Sequence, residues 1–280
     1  MKRISNLAKA ILTTGKDHQA FIGARWILLL LWLAPRRLKR DIALRILSVS
    51  PHYFYRDFRP VYKNLSLNLF LKAEYERNRL SREMICTQLL MPFIKPTYQI
   101  LDVGCGPGFL AKAVARHVKT VYACDISLGV LECARILNNA ENIKYIYSDE
   151  SGFDRIEDSS LDLVYSIAVI QHLRESVIKY LFSIASRKLR TGGRCLFQVQ
   201  LQNDEWKSEN EWVADKSLTG RLKLKYALNC FARSEGFFRE LASQTGLSLV
   251  AVHSLSEMFD SPFDDVYYQD LIILSKPHAG

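Results

Sequence analysis

Residues 100–115, ILDVGCGPGFLAKAVA, place an acidic side chain, Asp102, directly before three alternate glycines, Gly104, Gly106 and Gly108. Glycines can take positive φ and let a ligand approach where a Cβ would collide. The first turn of a following helix adds unpaired N–H groups. Ile100, Leu101 and Val103 read as a buried parallel strand. Leu110, Val114 and Val118 give the apolar stripe of a helix over 109–118 that packs back on a sheet. Strand, glycine turn and helix in this order make a site for a nucleotide-sized cofactor. The spacing then separates cofactors. A dinucleotide fingerprint G-x-G-x-x-G would need a glycine at 109, where this chain has Phe109. A carboxylate at 102 would repel a pyrophosphate and attract an ammonium.

The elements downstream alternate between strand and helix. VYACDIS (121–127) reads as a second strand ending in Asp125, with Ser127 placed to cap the next helix. IKYIYSDE (143–150) is a third strand, LDLVYSIAVIQHL (161–173) a fourth that enters a helix, and KLRTGGRCLFQVQL (188–201) a fifth preceded by a Gly192-Gly193 turn. A helix over 234–246 and two further strands, LSLVAVHSL and QDLIILSKP, complete the chain. This alternation predicts an α/β fold.

The run Asp102-Val-Gly-Cys-Gly-Pro-Gly108, with Asp125 and Asp149 at its downstream spacings, resembles the class I S-adenosylmethionine-dependent methyltransferases, in their small-molecule branch. The resemblance covers about residues 75–277. It implies a Rossmann-like, seven-stranded, mostly parallel sheet flanked by helices, and S-adenosyl-L-methionine as cofactor. It also implies roles. Asp102, Gly104, Cys105, Gly106 and Gly108 form the first motif. Asp125, with Ile126 beside it, holds the ribose hydroxyls, since a carboxylate can accept from both members of a diol. Asp149, followed by Glu150, receives the adenine amino group, and the backbone of Ile167 faces the methionine part. Other readings stay open: Asp125 could start a helix as a solvated carboxylate, and Asp149 could serve only turn chemistry. Tyr75 and Arg79, just before the first strand, could reach the cofactor carboxylate.

His172 follows the fourth strand at the mouth of this site, where it could take a proton from an acceptor hydroxyl or amine; alternatively, Gln171 and His172 only cap a helix or line the pocket. His52 and His253 are weaker candidates, and His117 reads as structural. The Ser166-Ile-Ala-Val169 run lacks the Asn/Asp-Pro-Pro-aromatic signature of adenine and glutamine N-methylation, and no Pro-Cys nucleophile stands there for cytosine C5 chemistry. No metal-ligand spacing is visible. The expected acceptor is a small molecule or lipid-like compound, with oxygen preferred over nitrogen; a catalytically silent scaffold, or an RNA or protein methyltransferase, is the alternative.

The chain has 280 residues, 49% of them hydrophobic, enough for one full core with additions. We read 1–74 as a helical N-terminal cap and 75–280 as the catalytic domain, with 203–231 an insertion contributing to the acceptor pocket. Six cysteines without C-x-x-C spacing suit a reducing, cytoplasmic compartment. Net charge is +9, but residues 1–45 hold ten Lys and Arg against two Asp and so carry +8 of it. Nucleic acid is therefore not an expected partner, because a basic footprint should extend across the fold. The same segment contains WILLLLWLA (26–34) followed by Arg36, Arg37, Lys39 and Arg40. Nine apolar residues are too few to span a bilayer, which needs about 20. Residues 21–50 fit either an interfacial helix on anionic lipid or a cap that packs on the catalytic domain or on a second copy. A signal peptide is disfavoured, because no small-x-small cleavage site follows the apolar run. The aromatics Tyr53, Phe54, Tyr55, Phe58, Tyr62, Phe70 and Tyr75 could wall the acceptor pocket or form the core of the cap.

Overall fold

The computed structural model describes residues 25–49, 53–54, 62, 64–201, 207–225, 229–259 and 269–277. Seven strands form one sheet: β1 (Gln99–Val103), β2 (Thr120–Asp125), β3 (Ile143–Tyr147), β4 (Leu161–Ser166), β5 (Leu189–Val199), β6 (Ser248–Ser254) and β7 (Asp270–Ser275). Their spatial order is β3-β2-β1-β4-β5-β7-β6. The β1–β2, β1–β4, β2–β3 and β4–β5 pairs are parallel, while β7 runs antiparallel to both β5 and β6. The order reverses beside β1, so the crevice between the carboxyl ends of β1 and β4 is the topological switch point where such sheets bind ligands. The Rossmann-like, seven-stranded, mostly parallel sheet expected from the sequence is present.

Both faces of the sheet are covered, which is why β1, β2 and β4 read as near-continuous apolar runs. One face buries Ile100, Leu163, Tyr165, Leu196 and Leu271 under helices that include α4 (Phe109–Ala115) and α5 (Leu128–Leu137). The other buries Leu101, Val103, Val164, Phe197 and Ile272 under α7 (Glu175–Lys188) and α10 (Glu235–Gln244), with α6 (Glu150–Phe153) at its edge. Phe182, Phe197 and Phe238 stack across the second layer, with centroids 5.3 and 6.5 Å apart. Each such fully buried side chain contributes about 1.5–3 kcal/mol.

Two boundaries differ from expectation. The helix after the glycine turn ends at Ala115, and Val118 reaches the core from the turn beyond, where the His117 N–H bonds to the Val114 carbonyl. The Gly192-Gly193 pair lies inside β5: Leu189 pairs with Leu161, the ladder is interrupted, and pairing resumes at Arg194 opposite Leu163. Gly192 takes φ +75° there, so the chain bulges within the strand instead of turning before it.

Among the described residues three α-helices precede the sheet: α1 (Arg25–Leu33), α2 (Arg36–Val49) and α3 (Leu67–Met84), the last continued by a π-helical turn over Ile85–Leu90. The first two pack beside α5 and share a core with it, including Leu31, Leu44, Leu47, Phe70, Val130 and Cys133. Of the aromatics, Phe54, Tyr62, Phe70 and Tyr75 are packed in this core. Phe54, Tyr62 and Phe70 meet edge to face, as do Tyr75 and Phe109. Tyr55, Phe58 and His52 lie outside the described residues, as do residues 21–24, 50, 203–206 and 226–228. Two short helices of that insertion, α8 (Glu209–Ala214) and α9 (Leu218–Lys225), are described.

Candidate functional site

The glycine turn is built by bonds between neighbouring strand ends. The N–H groups of Gly104 and Cys105 both donate to the Cys124 carbonyl (2.8 and 2.9 Å), fixing the turn against β2. Gly104, Gly106 and Gly108 all take positive φ. A Cβ at Gly104 would stand 2.4 Å from Val169 Cγ2, and one at Gly108 would stand 2.3 Å from the Tyr145 hydroxyl. These two glycines are therefore needed by the protein's own packing. Gly106 differs: a Cβ there would meet only the Tyr53 ring, at 3.5 Å, an ordinary contact.

Asp102 and Asp125 sit at the ends of adjacent strands. Asp102 is 2% exposed, and its Oδ2 has no hydrogen-bond partner. Burial pushes its carboxyl up to about 7, against the pull of the Tyr165 hydroxyl, with the Asp125 charge adding to the rise and Arg82 opposing it. An unpaired buried carboxylate oxygen is costly, and a cation delivered beside it would relieve that cost. The Asp125 carboxylate accepts from the Gly106 N–H (3.1 Å) through Oδ2 and from the Ser127 N–H (2.9 Å) through Oδ1. Burial raises it to about 6 against these backbone bonds. The Ile126 N–H also acts on it, and since a carboxylate has about four lone-pair sites, acceptor capacity remains for a further donor. The Ser127 hydroxyl does not cap α5 as the sequence suggested; the neighbouring Asp125 holds the Ser127 N–H instead.

Cys105 lies buried in the turn with its thiol pushed well up by burial, chemically a small filler. Ile126 is half-buried beside Asp125, and Ile167 is buried just after β4. Asp149 caps α6: its Oδ1 accepts from the Gly152 N–H (2.8 Å) and the Ser151 hydroxyl (2.9 Å), while Glu150 is exposed. Turn chemistry thus occupies one oxygen of Asp149.

Arg79 is not brought to the turn. It stands 40% exposed, its guanidinium held by Glu76 and Glu83 at 2.8 Å each. Helical phase is the reason: the buried face of α3 is centred on Phe70, Glu74, Asn78 and Ser81, and 79 falls on its flank. Arg82, three residues on, is the arginine whose charge acts on Asp102.

His172 closes a 3-10 turn, Ile170–His172, just beyond β4. Its Nδ1 lies 2.8 Å from the Asn229 carbonyl. A carbonyl can only accept, so Nδ1 carries the proton and Nε2 is the basic nitrogen of the ring. Cys230 Sγ stands 3.7 Å from the same Nδ1. The Phe231 N–H donates to the Gln171 carbonyl at 2.7 Å, so residues 229–231 are stitched to the turn after β4.

Sequence reasoning missed Ala168 and Gln198. Ala168 takes φ +61°, rare for a residue with a Cβ. Its N–H donates to the Oε1 of Gln198, a fully buried β5 residue. Backbone strain of this kind collects at functional sites, and no residue-type pattern signals it in advance.

The residues present fit S-adenosylmethionine. They offer an orphaned buried acid for an ammonium, a second acid with acceptor capacity left for a ribose hydroxyl, and a glycine at 106 whose Cβ the fold itself does not exclude. Residues 101–197 match the family model of a methyltransferase domain. The chain is 29% identical over 149 residues to the ribosomal protein L11 methyltransferase of Cupriavidus necator, covering 46% of this chain and 46% of that protein. It is 27% identical over 134 residues to the ubiquinone biosynthesis O-methyltransferase of Bartonella tribocorum, covering 45% of this chain and 52% of that one. The chain thus spans about half the length of these relatives. Among solved structures, geranyl diphosphate C-methyltransferase from Streptomyces coelicolor, in complex with S-adenosyl-L-homocysteine, superposes with TM-score 0.53 at 15% identity, covering 78% of this chain and 85% of that one. Phosphoethanolamine N-methyltransferase 2 from Haemonchus contortus, in complex with S-adenosyl-L-methionine, gives 0.51 at 17%, covering 78% and 61%. Residues 101–197 thus carry a methyltransferase domain, in a fold shared with S-adenosylmethionine-dependent methyltransferases. These four proteins are named for different acceptors, so none of them fixes it here.

Proposed function

We propose that this protein transfers the methyl group of S-adenosylmethionine to an oxygen of a small-molecule or lipid-like acceptor. The observation that carries the reading is the pairing of an orphaned buried carboxylate oxygen on Asp102 with a tautomer-fixed His172 beyond β4. When bound, the cofactor supplies an electrophilic methyl whose C–S electron pair returns to sulfur as an acceptor lone pair forms the new bond. The protein's residues do the rest. Asp102 holds the ammonium, and the Gly106 backbone lets the cofactor lie close. Asp125 orients the ribose, with Ile126 beside it; Asp149 and Glu150 border the adenine end, and Ile167 the methionine end. Arg82, in place of Arg79, faces the carboxylate. His172 Nε2 takes the acceptor's hydroxyl proton, while Asn229 keeps the ring oriented. Positioning of this kind can supply about 7–11 kcal/mol of barrier reduction, so His172 assists a reaction driven mainly by alignment.

We also infer that the protein attaches peripherally to anionic membrane. No helix of the described residues is long and apolar enough to cross a bilayer. Leu29, Leu30, Trp32 and Leu33 of α1 are 46–73% exposed, and Arg36 and Arg37 stand exposed immediately beyond them. An apolar face bordered by cations matches an anionic lipid surface.

The test of the enzymatic reading is transfer of labelled methyl from S-adenosylmethionine to fractions of phenolic, sugar and lipid extracts by the full chain. Label in an acceptor, lost on Asp102→Ala, is the expected result; no transfer by folded protein that binds the cofactor would favour a silent scaffold.

A further inference from the structure

Beyond β4 and β5 the chain gathers neutral amides. Gln171, Gln198, Asn229 and Gln269 are 3%, 0%, 2% and 9% exposed. Within them the Oε1 of Gln171, the Nε2 of Gln198, both side-chain polar atoms of Asn229 and the Oε1 of Gln269 lack hydrogen-bond partners. Buried amides normally find partners, because an unmade bond forfeits their hydration. Four with open atoms in one region therefore point to a ligand that completes them.

The amides are tied to one place and to the reacting end of the site. Gln198 fixes the strained Ala168 through its Oε1, leaving its Nε2 open. Asn229 gives its backbone carbonyl to His172 Nδ1, and Gln171 gives its own to Phe231. Gln198 pairs with Leu271 and Val199 with Asp270, which puts Gln269 at the same end of the sheet.

The chemistry of the open atoms selects the ligand. Gln198 Nε2 and Asn229 Nδ2 can only donate, whereas the three open carbonyl oxygens can only accept. A carboxylate or phosphate could answer only the donors, an ammonium only the carbonyls, and a hydrocarbon neither. A hydroxyl both donates and accepts, so neighbouring hydroxyls answer the whole set. Arg233 leaves its buried Nε–H open as one further donor, while its charge is met by Glu209 at 3.1 Å, and Asp270 accepts from the Leu201 N–H. A neutral hydroxyl oxygen answers that donor without adding a charge to the region.

We propose that the acceptor is a neutral, hydroxyl-rich ring, a sugar or glycoside, recognised by Gln171, Gln198, Asn229 and Gln269. This rests on the methyl-transfer reading and narrows its substrate. The methyl would pass from the sulfonium to one ring hydroxyl oxygen. The C–S electron pair stays on sulfur, an oxygen lone pair forms the C–O bond, and the displaced hydroxyl proton goes to His172 Nε2.

The test uses the full chain saturated with S-adenosylhomocysteine. Methyl α-D-glucopyranoside, methyl α-D-mannopyranoside and methyl α-L-rhamnopyranoside are the probes, with 4-hydroxybenzoate and phosphoethanolamine as counter-probes. Saturation-transfer NMR should show binding of at least one glycoside. Labelled methyl from S-adenosylmethionine should then enter that glycoside at least about a hundredfold faster than either counter-probe, since a site built to bond several neighbouring hydroxyls rejects ligands that offer one or none. The near-isosteric variants Asn229→Asp and Gln171→Glu should weaken the glycoside signal by about tenfold or more with homocysteine-cofactor affinity within about twofold. Preference for the phenol or the amine, absence of any glycoside signal, or glycoside selectivity unchanged in both variants would overturn the proposal while leaving the methyl-transfer reading standing. Failure of the folded wild type to bind S-adenosylhomocysteine would overturn both.

Discussion

Gly106 separates what the fold needs from what a ligand needs. An alanine there would have its Cβ 3.5 Å from the Tyr53 ring, with no closer neighbour, so packing tolerates it. The backbone, at φ +52°, lies in the left-handed region, which costs a residue with a Cβ about 1–2 kcal/mol. For a chain of this size that is about 2–8 °C in melting temperature. The Gly106 N–H keeps its bond to Asp125 in the variant, because the substitution leaves the amide intact. In the proposed placement of the cofactor against this turn, the added methyl crowds it. A Cβ forcing the cofactor outward would cost it the Asp102 and Asp125 bonds, each worth about 1.5–3 kcal/mol as a bond to a charged group. Calorimetric titration of Gly106→Ala with S-adenosylhomocysteine should therefore show affinity reduced by about tenfold or more, while the melt shifts by only a few degrees. Gly104→Ala is the contrasting variant. Its Cβ meets Val169 at 2.4 Å, and it should fold poorly whatever binds. Wild-type affinity in a folded Gly106→Ala would refute the argument, because the turn would then not line the cofactor.

Three further outcomes follow from the same geometry. Asp102 and Asp125 are raised to about 7 and about 6 from an ordinary 3.8, so the native state binds protons that the unfolded chain has lost. Their stabilising contribution to the free protein is full below about pH 4 and is lost as pH rises to about 7. Cofactor binding should run the other way. Below about pH 7 the ammonium must displace a proton, so affinity should fall by up to about tenfold per unit. Melts with and without S-adenosylhomocysteine between about pH 5 and 8 read both slopes, and an unchanged cofactor-induced shift in wild type would contradict the ammonium assignment. His172→Gln should retain cofactor affinity and lose about a hundredfold in turnover with the best acceptor; full turnover would reduce His172 to a pocket wall. Trp32, 73% exposed, should shift its fluorescence to the blue on phosphatidylglycerol vesicles but not on phosphatidylcholine ones, and Leu29→Asp with Leu33→Asp should abolish co-sedimentation; equal binding to both vesicle types would remove the electrostatic part of the argument.

Much of this was legible in residue order because the chemistry depends on local features. A glycine turn after an apolar strand, and acids at the ends of the next strands, are set by a few consecutive residues, and the seven-stranded sheet was recoverable from strand–helix alternation. What escaped was set by rotation or by distant contact. Arg79 and Arg82 are equally arginine in sequence, but their different phase on α3 puts the first into ion pairs with Glu76 and Glu83 and lets the charge of the second act on Asp102. The aromatics before α3 looked equally suited to a pocket wall; their partners in the core of the first helices were visible only once those helices docked on α5. Gln198 carried no signal because its partner, the Ala168 N–H, is thirty residues away. The position of Asn229 against His172 likewise depends on how the insertion folds back, across a separation of fifty-seven residues.

The central claim is that the crevice between β1 and β4 holds S-adenosylmethionine, and the most direct measurement is calorimetric titration of the wild-type chain with S-adenosylmethionine, S-adenosylhomocysteine and NAD. The account predicts saturable binding of the first two at about micromolar affinity and none of NAD, whose pyrophosphate would meet the Asp102 carboxylate without a glycine at 109 to receive it. Binding of NAD, or of none of the three by folded protein, would contradict it.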